Sequence, residues 1–163
     1  MTRNNGAENT APVTVNGWSI FLHQCFSEEL TQLMEAVEAL QAKDPDGYVK
    51  KSATKLLAAI SKLAFKVVPQ NPGADEYRLS KSLGDSYQHW RRAKFFQQYR
   101  LFFRYHTETK VIICAWVNGP DTKRAYGSKT DAYRVFNKML AGGNPPDNWN
   151  VLLTSAKTKT GAA

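Results

Sequence analysis

The chain has 163 residues, 42% of them apolar and 22% charged, which suits one folded domain and excludes wholesale disorder. No run approaches the ~20 consecutive apolar residues of a membrane span, the start lacks the apolar stretch of a secretory signal, and two cysteines are too few for a disulfide framework. The net charge of +8 is concentrated: residues 1–65 hold six basic and seven acidic side chains, whereas residues 66–140 hold fourteen basic and six acidic, an excess that suits a polyanion and above all nucleic acid.

In chain order, residues 1–14 are polar and read as a flexible leader, followed by a domain over 15–150 and a polar tail over 151–163. Residues 15–26 (VNGWSIFLHQCF) predict an extended segment over the core. Ser27 reads as the N-cap of a helix, with Glu28 and Glu29 in its first turn and Leu30, Leu33, Met34, Val37 and Leu40 along one stripe. The break at Lys43-Asp-Pro-Asp-Gly47 leads to a second helix from Tyr48 to Phe65, which completes an αα-hairpin. After the loop at 69–73 the period changes from 3.6 to 2, and strands are expected over 90–95, 99–105 and 110–117. The last of these is apolar on both faces, as in the middle of a sheet. A final helix starts near Thr130, carries Tyr133, Phe136, Met139 and Leu140 inward, and stops at Gly142-Gly143; Pro145 to Trp149 reads as an ordered turn. The sum is an α+β domain: an N-terminal αα-hairpin packed on one face of an antiparallel sheet, with a C-terminal helix.

Some chemistries are poorly served by these residues. His23, His89 and His106 lie far apart with no metal-ligand spacing, no phosphate-binding loop of the GxxxxGK[ST] type occurs, and the acidic residues of the basic half do not cluster for a metal pair. No metal and no cofactor are expected. A basic ladder is present instead. Arg92 and Lys94 share a face of one strand, and Arg100 and Arg104 share a face of the next, so the four are expected to converge on an open side of the sheet. Such crowding is unfavourable without a bound polyanion, and a lysine among arginines has its pKa lowered, which makes Lys94 a candidate base. A second basic cluster, Lys123-Arg-Ala-Tyr-Gly-Ser-Lys129, precedes the last helix, where free N–H groups favour phosphate and Tyr126 is placed to stack on a base. Read from the residues alone, Tyr126 serves equally as a packing aromatic, and Tyr133 and Phe136 as helix core.

The stretches NGW (16–18), ATKLLA (53–58), KSLG (81–84), YRLFFRY (99–105), KVII (110–113), RAYGSKTDAYRVFNKML (124–140) and PPDNW (145–149) resemble the YhaV family of bacterial toxins, within the wider RelE-like superfamily. The resemblance covers about residues 15–150. It implies a RelE-like fold, a PrlF-type antitoxin as partner, and translation-linked cleavage of mRNA on the ribosome by attack of the RNA's own 2′-hydroxyl. The products would be a 2′,3′-cyclic phosphate and a 5′-hydroxyl. It also implies the catalytic set: Arg100 to stabilise the phosphate, Lys94 as base, Arg92 as a clamp, Arg124 at the leaving oxygen, and a tyrosine that corresponds to Tyr126 or Tyr133, with Tyr126 preferred. Further RNA contacts are expected at Lys81, Arg91, Arg104, Lys123, Lys129 and Tyr133. Operator DNA is a further partner reached through the antitoxin. The rival reading is a non-catalytic nucleic-acid-binding module or co-repressor.

Overall fold

The computed structural model describes residues 7–9 and 11–160. Val13–Val15 (β2) and Trp18–Leu22 (β3) form an antiparallel hairpin around Asn16-Gly17, whose φ angles of +52° and +81° are the pair that this dipeptide adopts most readily in a tight turn. Leu22 leads through His23 into helix α1, Gln24–Lys43. The helix therefore begins ahead of Ser27, the expected cap: His23 Nδ1 accepts from Cys25 N at 3.1 Å, an uncommon residue doing the work of a capping oxygen. Helix α2, Ser52–Lys62, packs back along α1 and runs on through a π-helical turn at Leu63–Val67, so that Leu56, Ile60, Ala64 and Val68 are buried on one side.

The chain then crosses to the far edge of the sheet and returns as a meander of Arg91–Phe95 (β4), Tyr99–His106 (β5) and Val111–Val117 (β6). The strand order is β2-β3-β6-β5-β4. The expected antiparallel sheet is corrected at one seam: β3 runs parallel to β6, with Ile20 opposite Ile112 and Leu22 opposite Cys114. The reason is topological. An inward meander that starts at the opposite edge reaches β3 with its third strand, which points the same way.

A second correction concerns layers. Both faces of the sheet are covered, not one. Leu101, Phe103 and Ile112 meet the α1–α2 layer, while Phe102, Ile113 and Trp116 meet helices Ala132–Ala141 (α3) and Trp149–Lys157 (α4). Phe102 stacks on Phe136 of α3 at 4.2 Å between centroids. The alternation along β5 thus feeds two cores, and the face expected to be open and cationic lies under α3 and α4.

The expected leader and tail also contain structure. Ala7–Asn9 (β1) pairs antiparallel with Thr158–Thr160 (β7), and α4 is capped by Asn148, whose side chain accepts from Val151 N at 3.1 Å. These elements escaped the hydrophobic pattern because α4 buries only Leu152 and Ala156, and a three-residue strand is held by its backbone.

Candidate active site

Arg92 and Lys94 of β4 lie on the face that also carries Arg100 of β5, with Lys94 directly across from Arg100. The N-terminus of α3 closes over this face and places Tyr133 above it. Arg92 Nε and Arg100 Nε both donate to the Tyr133 hydroxyl, at 2.8 and 3.0 Å. Arg92 Nη1 also donates to the Arg78 carbonyl, and Arg100 Nη1 to the carbonyls of Gln97 and Tyr99 at 2.8 and 2.9 Å. The two residues are only 7% and 8% exposed, yet among the described residues neither guanidinium has a carboxylate at ion-pair distance. Burying a charge without its counter-charge is costly, and neutral carbonyls and one phenol compensate only in part. A tyrosine hydroxyl accepts twice and donates once, so Tyr133 has its own proton left for a ligand.

Arg124 supplies the third guanidinium, 5.1 Å from the Tyr133 ring centroid and 5.5 Å from that of Tyr126. Its geometry is set by Asp131, the buried N-cap of α3. One carboxylate oxygen accepts from Arg124 Nη1 and from Ala125 N, both at 2.6 Å, and the other accepts from Tyr133 N at 3.1 Å. The loop is tied to the β4–β5 turn by Arg124 N, which donates to Gln98 O at 2.8 Å. Asn118 locks the arrangement from beneath. Its Oδ1 accepts from Arg100 N at 2.7 Å, and its Nδ2 donates to the carbonyls of Gln98 and Thr122 at 3.0 and 2.8 Å.

A cleft of about 670 Å³ opens beside this centre, lined by Arg124, Tyr126, Lys129, Tyr133, Arg134 and Lys138, among others. Arg134 and Lys138 were missed in the sequence, although their spacing of four on α3 puts both on one helical face. Asn118 and Asp131 were missed as well, since they act on other site residues and carry no chemistry of their own.

Of the residues singled out from sequence, Arg92, Arg100 and Arg124 each meet Tyr133, and Tyr126 and Lys129 line the adjoining cleft. Lys94 is exposed beside Arg100, and Lys123 is exposed on the loop just before Arg124. Of the two tyrosines, Tyr133 meets the arginines, while Tyr126 stands 87% exposed at the mouth.

Three expected contacts lie elsewhere. Arg104 is four residues beyond Arg100, about 13 Å along the strand. It is held between the rings of Trp90 and Trp149, each 5.4 Å away, and donates to the Asp147 carbonyl, so the expected convergence of all four ladder cations does not occur. Burial pulls the pKa of Arg104 down. Arg91 faces the opposite side of the sheet, 5.8 Å from the Tyr105 ring. Lys81 joins Arg91 and Arg78 around a separate cleft of about 370 Å³. Among the described residues no three His, Cys, Asp or Glu side chains are grouped as a metal ion requires, and no helix is long and apolar enough to cross a membrane.

Fold and centre together define an α+β protein in which three guanidiniums gather around the ring and hydroxyl of one buried tyrosine. The family model for YhaV toxins, described as toxins with endonuclease activity of toxin–antitoxin systems, matches residues 20–157, and the chain belongs to that family. The ribonuclease toxin YhaV of Escherichia coli K12 is 48% identical over 143 residues, covering 86% of this chain and 93% of its own length. Toxin YhaV of Escherichia coli O157:H7 matches to the same extent, 48% over 143 residues. A chain of the RelBE2 toxin–antitoxin complex of Mycobacterium tuberculosis overlays with a TM-score of 0.42 and 16% identity, covering 68% of this chain and 95% of that one.

Proposed function

We propose that the chain is a ribonuclease toxin of a toxin–antitoxin system that cleaves mRNA with its own side chains, by transfer of the phosphate to the adjacent 2′-oxygen. The observation that carries this reading is the pair of buried arginines, Arg92 and Arg100, which share one phenol and lack a carboxylate among the described residues. A phosphodiester is the anion that fits a forked, bidentate donor pair.

In the proposed reaction, Lys94 takes the proton of the 2′-hydroxyl and the 2′-oxygen bonds to phosphorus. The bond to the 5′-oxygen breaks, leaving a 2′,3′-cyclic phosphate and a 5′-hydroxyl. Charge builds on the non-bridging oxygens, where Arg92, Arg100 and the free proton of Tyr133 stabilise it, while Arg124 steadies the departing oxygen until solvent protonates it. Donors fixed in advance at developing charge contribute ~10²–10³ in rate each in comparable sites. Tyr126, exposed at the mouth, stacks on a neighbouring base, and Lys129 and Lys123 hold flanking phosphates. The partners are a PrlF-type antitoxin, the translating ribosome in the cytoplasm and, through the antitoxin, operator DNA.

The test is to add purified protein to a cell-free translation reaction and map RNA 5′ ends. New 5′-hydroxyl ends are expected with the natural sequence and none with Arg100→Ala. Full cutting by a folded Arg100→Ala protein sinks the proposed centre. Protection of RNA without new ends by the unaltered protein supports the non-catalytic binder instead.

A further inference from the structure

The turn between β4 and β5 holds an aromatic residue in a conformation that neither packing nor turn chemistry explains. Phe95 and Tyr99 are the last paired residues, so Phe96, Gln97 and Gln98 make the turn. Phe96 and Gln97 have φ angles of +45° and +61°, the left-handed region where a side chain crowds its own backbone. Gln98 N donates to Phe96 O at 2.6 Å, which closes a γ-turn around Gln97 in its rare positive-φ form. Glycine or asparagine at these positions would ease the backbone. The chain has Phe-Gln instead. Nor does burial repay the strain, since Phe96 is 55% exposed and its ring has Phe95, at 5.8 Å, as its aromatic neighbour.

This turn is bonded to both halves of the cationic centre. Gln97 O accepts from Arg100 Nη1 at 2.8 Å, and Gln98 exchanges hydrogen bonds with the backbone of Arg124 at 2.8 and 3.3 Å. An exposed ring thus stands within two residues of the groups that position Arg100 and Arg124, with the exposed Lys94 on the strand leading into it.

We propose that Phe96 is a base-stacking platform, which receives the face of an unpaired nucleobase beside the phosphate held at Arg100. The proposal rests on the RNA reading above and adds to it the residue that takes up an unpaired base next to the phosphate. Paired bases have both faces covered by their neighbours, whereas an unpaired base offers a face to any ring whatever its identity. The cationic surroundings favour this ligand over an apolar segment of a partner protein, because a nucleotide supplies a ring and a negative charge at fixed spacing.

The experiment measures binding of a short, fluorescent 2′-O-methyl RNA, which has no 2′-hydroxyl to react, to the full chain. It compares the natural sequence with Phe96→Gly, Phe96→Trp and Arg100→Ala, and repeats the series with an oligomer of the same backbone lacking every base. Phe96→Gly is expected to bind the RNA about 10-fold more weakly, or about 1.4 kcal/mol, with an unchanged salt slope. Its melting temperature stays at or above that of the natural protein, because glycine relaxes the positive φ. Phe96→Trp restores binding, and on the baseless oligomer Phe96→Gly and the natural sequence bind alike.

Equal affinity of Phe96→Gly and the natural protein for RNA, with Arg100→Ala still weakened, overturns the platform alone. A loss that persists on the baseless oligomer overturns it too, since Phe96 would then merely support Arg100. Unchanged RNA binding together with a weaker hold on the antitoxin assigns the ring to the protein partner. If the natural protein and Arg100→Ala bind RNA alike, the RNA reading of the centre fails first.

Discussion

Tyr133 gathers two buried cations around one oxygen, so the consequences of removing that oxygen are specific. In Tyr133→Phe the ring keeps its edge-to-face contact with Phe102 at 5.7 Å, but the Nε–H groups of Arg92 and Arg100 lose their acceptor. Each unsatisfied buried donor costs about 1–3 kcal/mol, so denaturant titration is expected to show a loss of about 2–6 kcal/mol for the two. In the proposed reaction the hydroxyl's own proton also stabilises the phosphate, so RNA cleavage is expected to fall by about 10²-fold. Arg104 makes the contrast. Its guanidinium sits between two indoles on a backbone carbonyl, away from the centre. Arg104→Ala should lower the melting temperature by several degrees, as expected for about 1–2 kcal/mol in a chain of this size, while the cleavage rate of the folded protein stays unchanged. A rate loss matching that of Arg100→Ala would instead place Arg104 on the substrate.

Helix α1 begins at a titratable cap. Burial pushes His23 down to about 4, against a weaker opposing pull from Glu28, and the neutral ring accepts from Cys25 N while its other nitrogen meets Ser155 Oγ of α4 at 3.0 Å. The folded pKa lies below the unfolded value near 6.5, so the unfolded chain binds more protons between the two. Stability is therefore full above about pH 6.5 and falls as the pH drops from there to about 4, by about 3 kcal/mol in all. Urea titrations across that window are expected to show the slope, and His23→Asn, which keeps a capping oxygen, should flatten it. The same cap shows where sequence reading stops. The strands at 91–95, 99–106 and 111–117 and the helix at 132–141 were legible, because alternation, two-sided apolarity and an apolar stripe that stops at a glycine pair are local signals. A histidine cap, a helix that buries two residues and a parallel seam with β6 depend on what lies opposite, which no local period encodes. The centre was legible by the same measure. Alternation placed Arg92, Lys94 and Arg100 on one face, whereas helical spacing read the Tyr133 ring as core and said nothing of its hydroxyl, and Arg104 shares the pattern of Arg100 without sharing its neighbours.

Over the whole molecule, the charge balance of +8 is supplied by residues 66–140, which carry the centre, the cleft and the turn at Phe96. Binding of single-stranded RNA is expected to weaken linearly in the logarithm of salt concentration. Arg100→Ala should reduce that slope by about 0.7, the share of one phosphate contact on a single strand, in fluorescence titrations over a range of salt. A slope that does not change would remove Arg100 from direct contact with the backbone.

The parallel seam between β3 and β6 has a further consequence for how the protein is made. Strand β3 pairs with β2 at once but waits through the helical hairpin and two more strands before its second partner, β6, exists. The hydroxyl that organises Arg92 and Arg100 arrives later still, on α3. A copy synthesised only as far as β5 consequently exposes strand edges without an assembled centre, which forms once β6 and α3 have both followed.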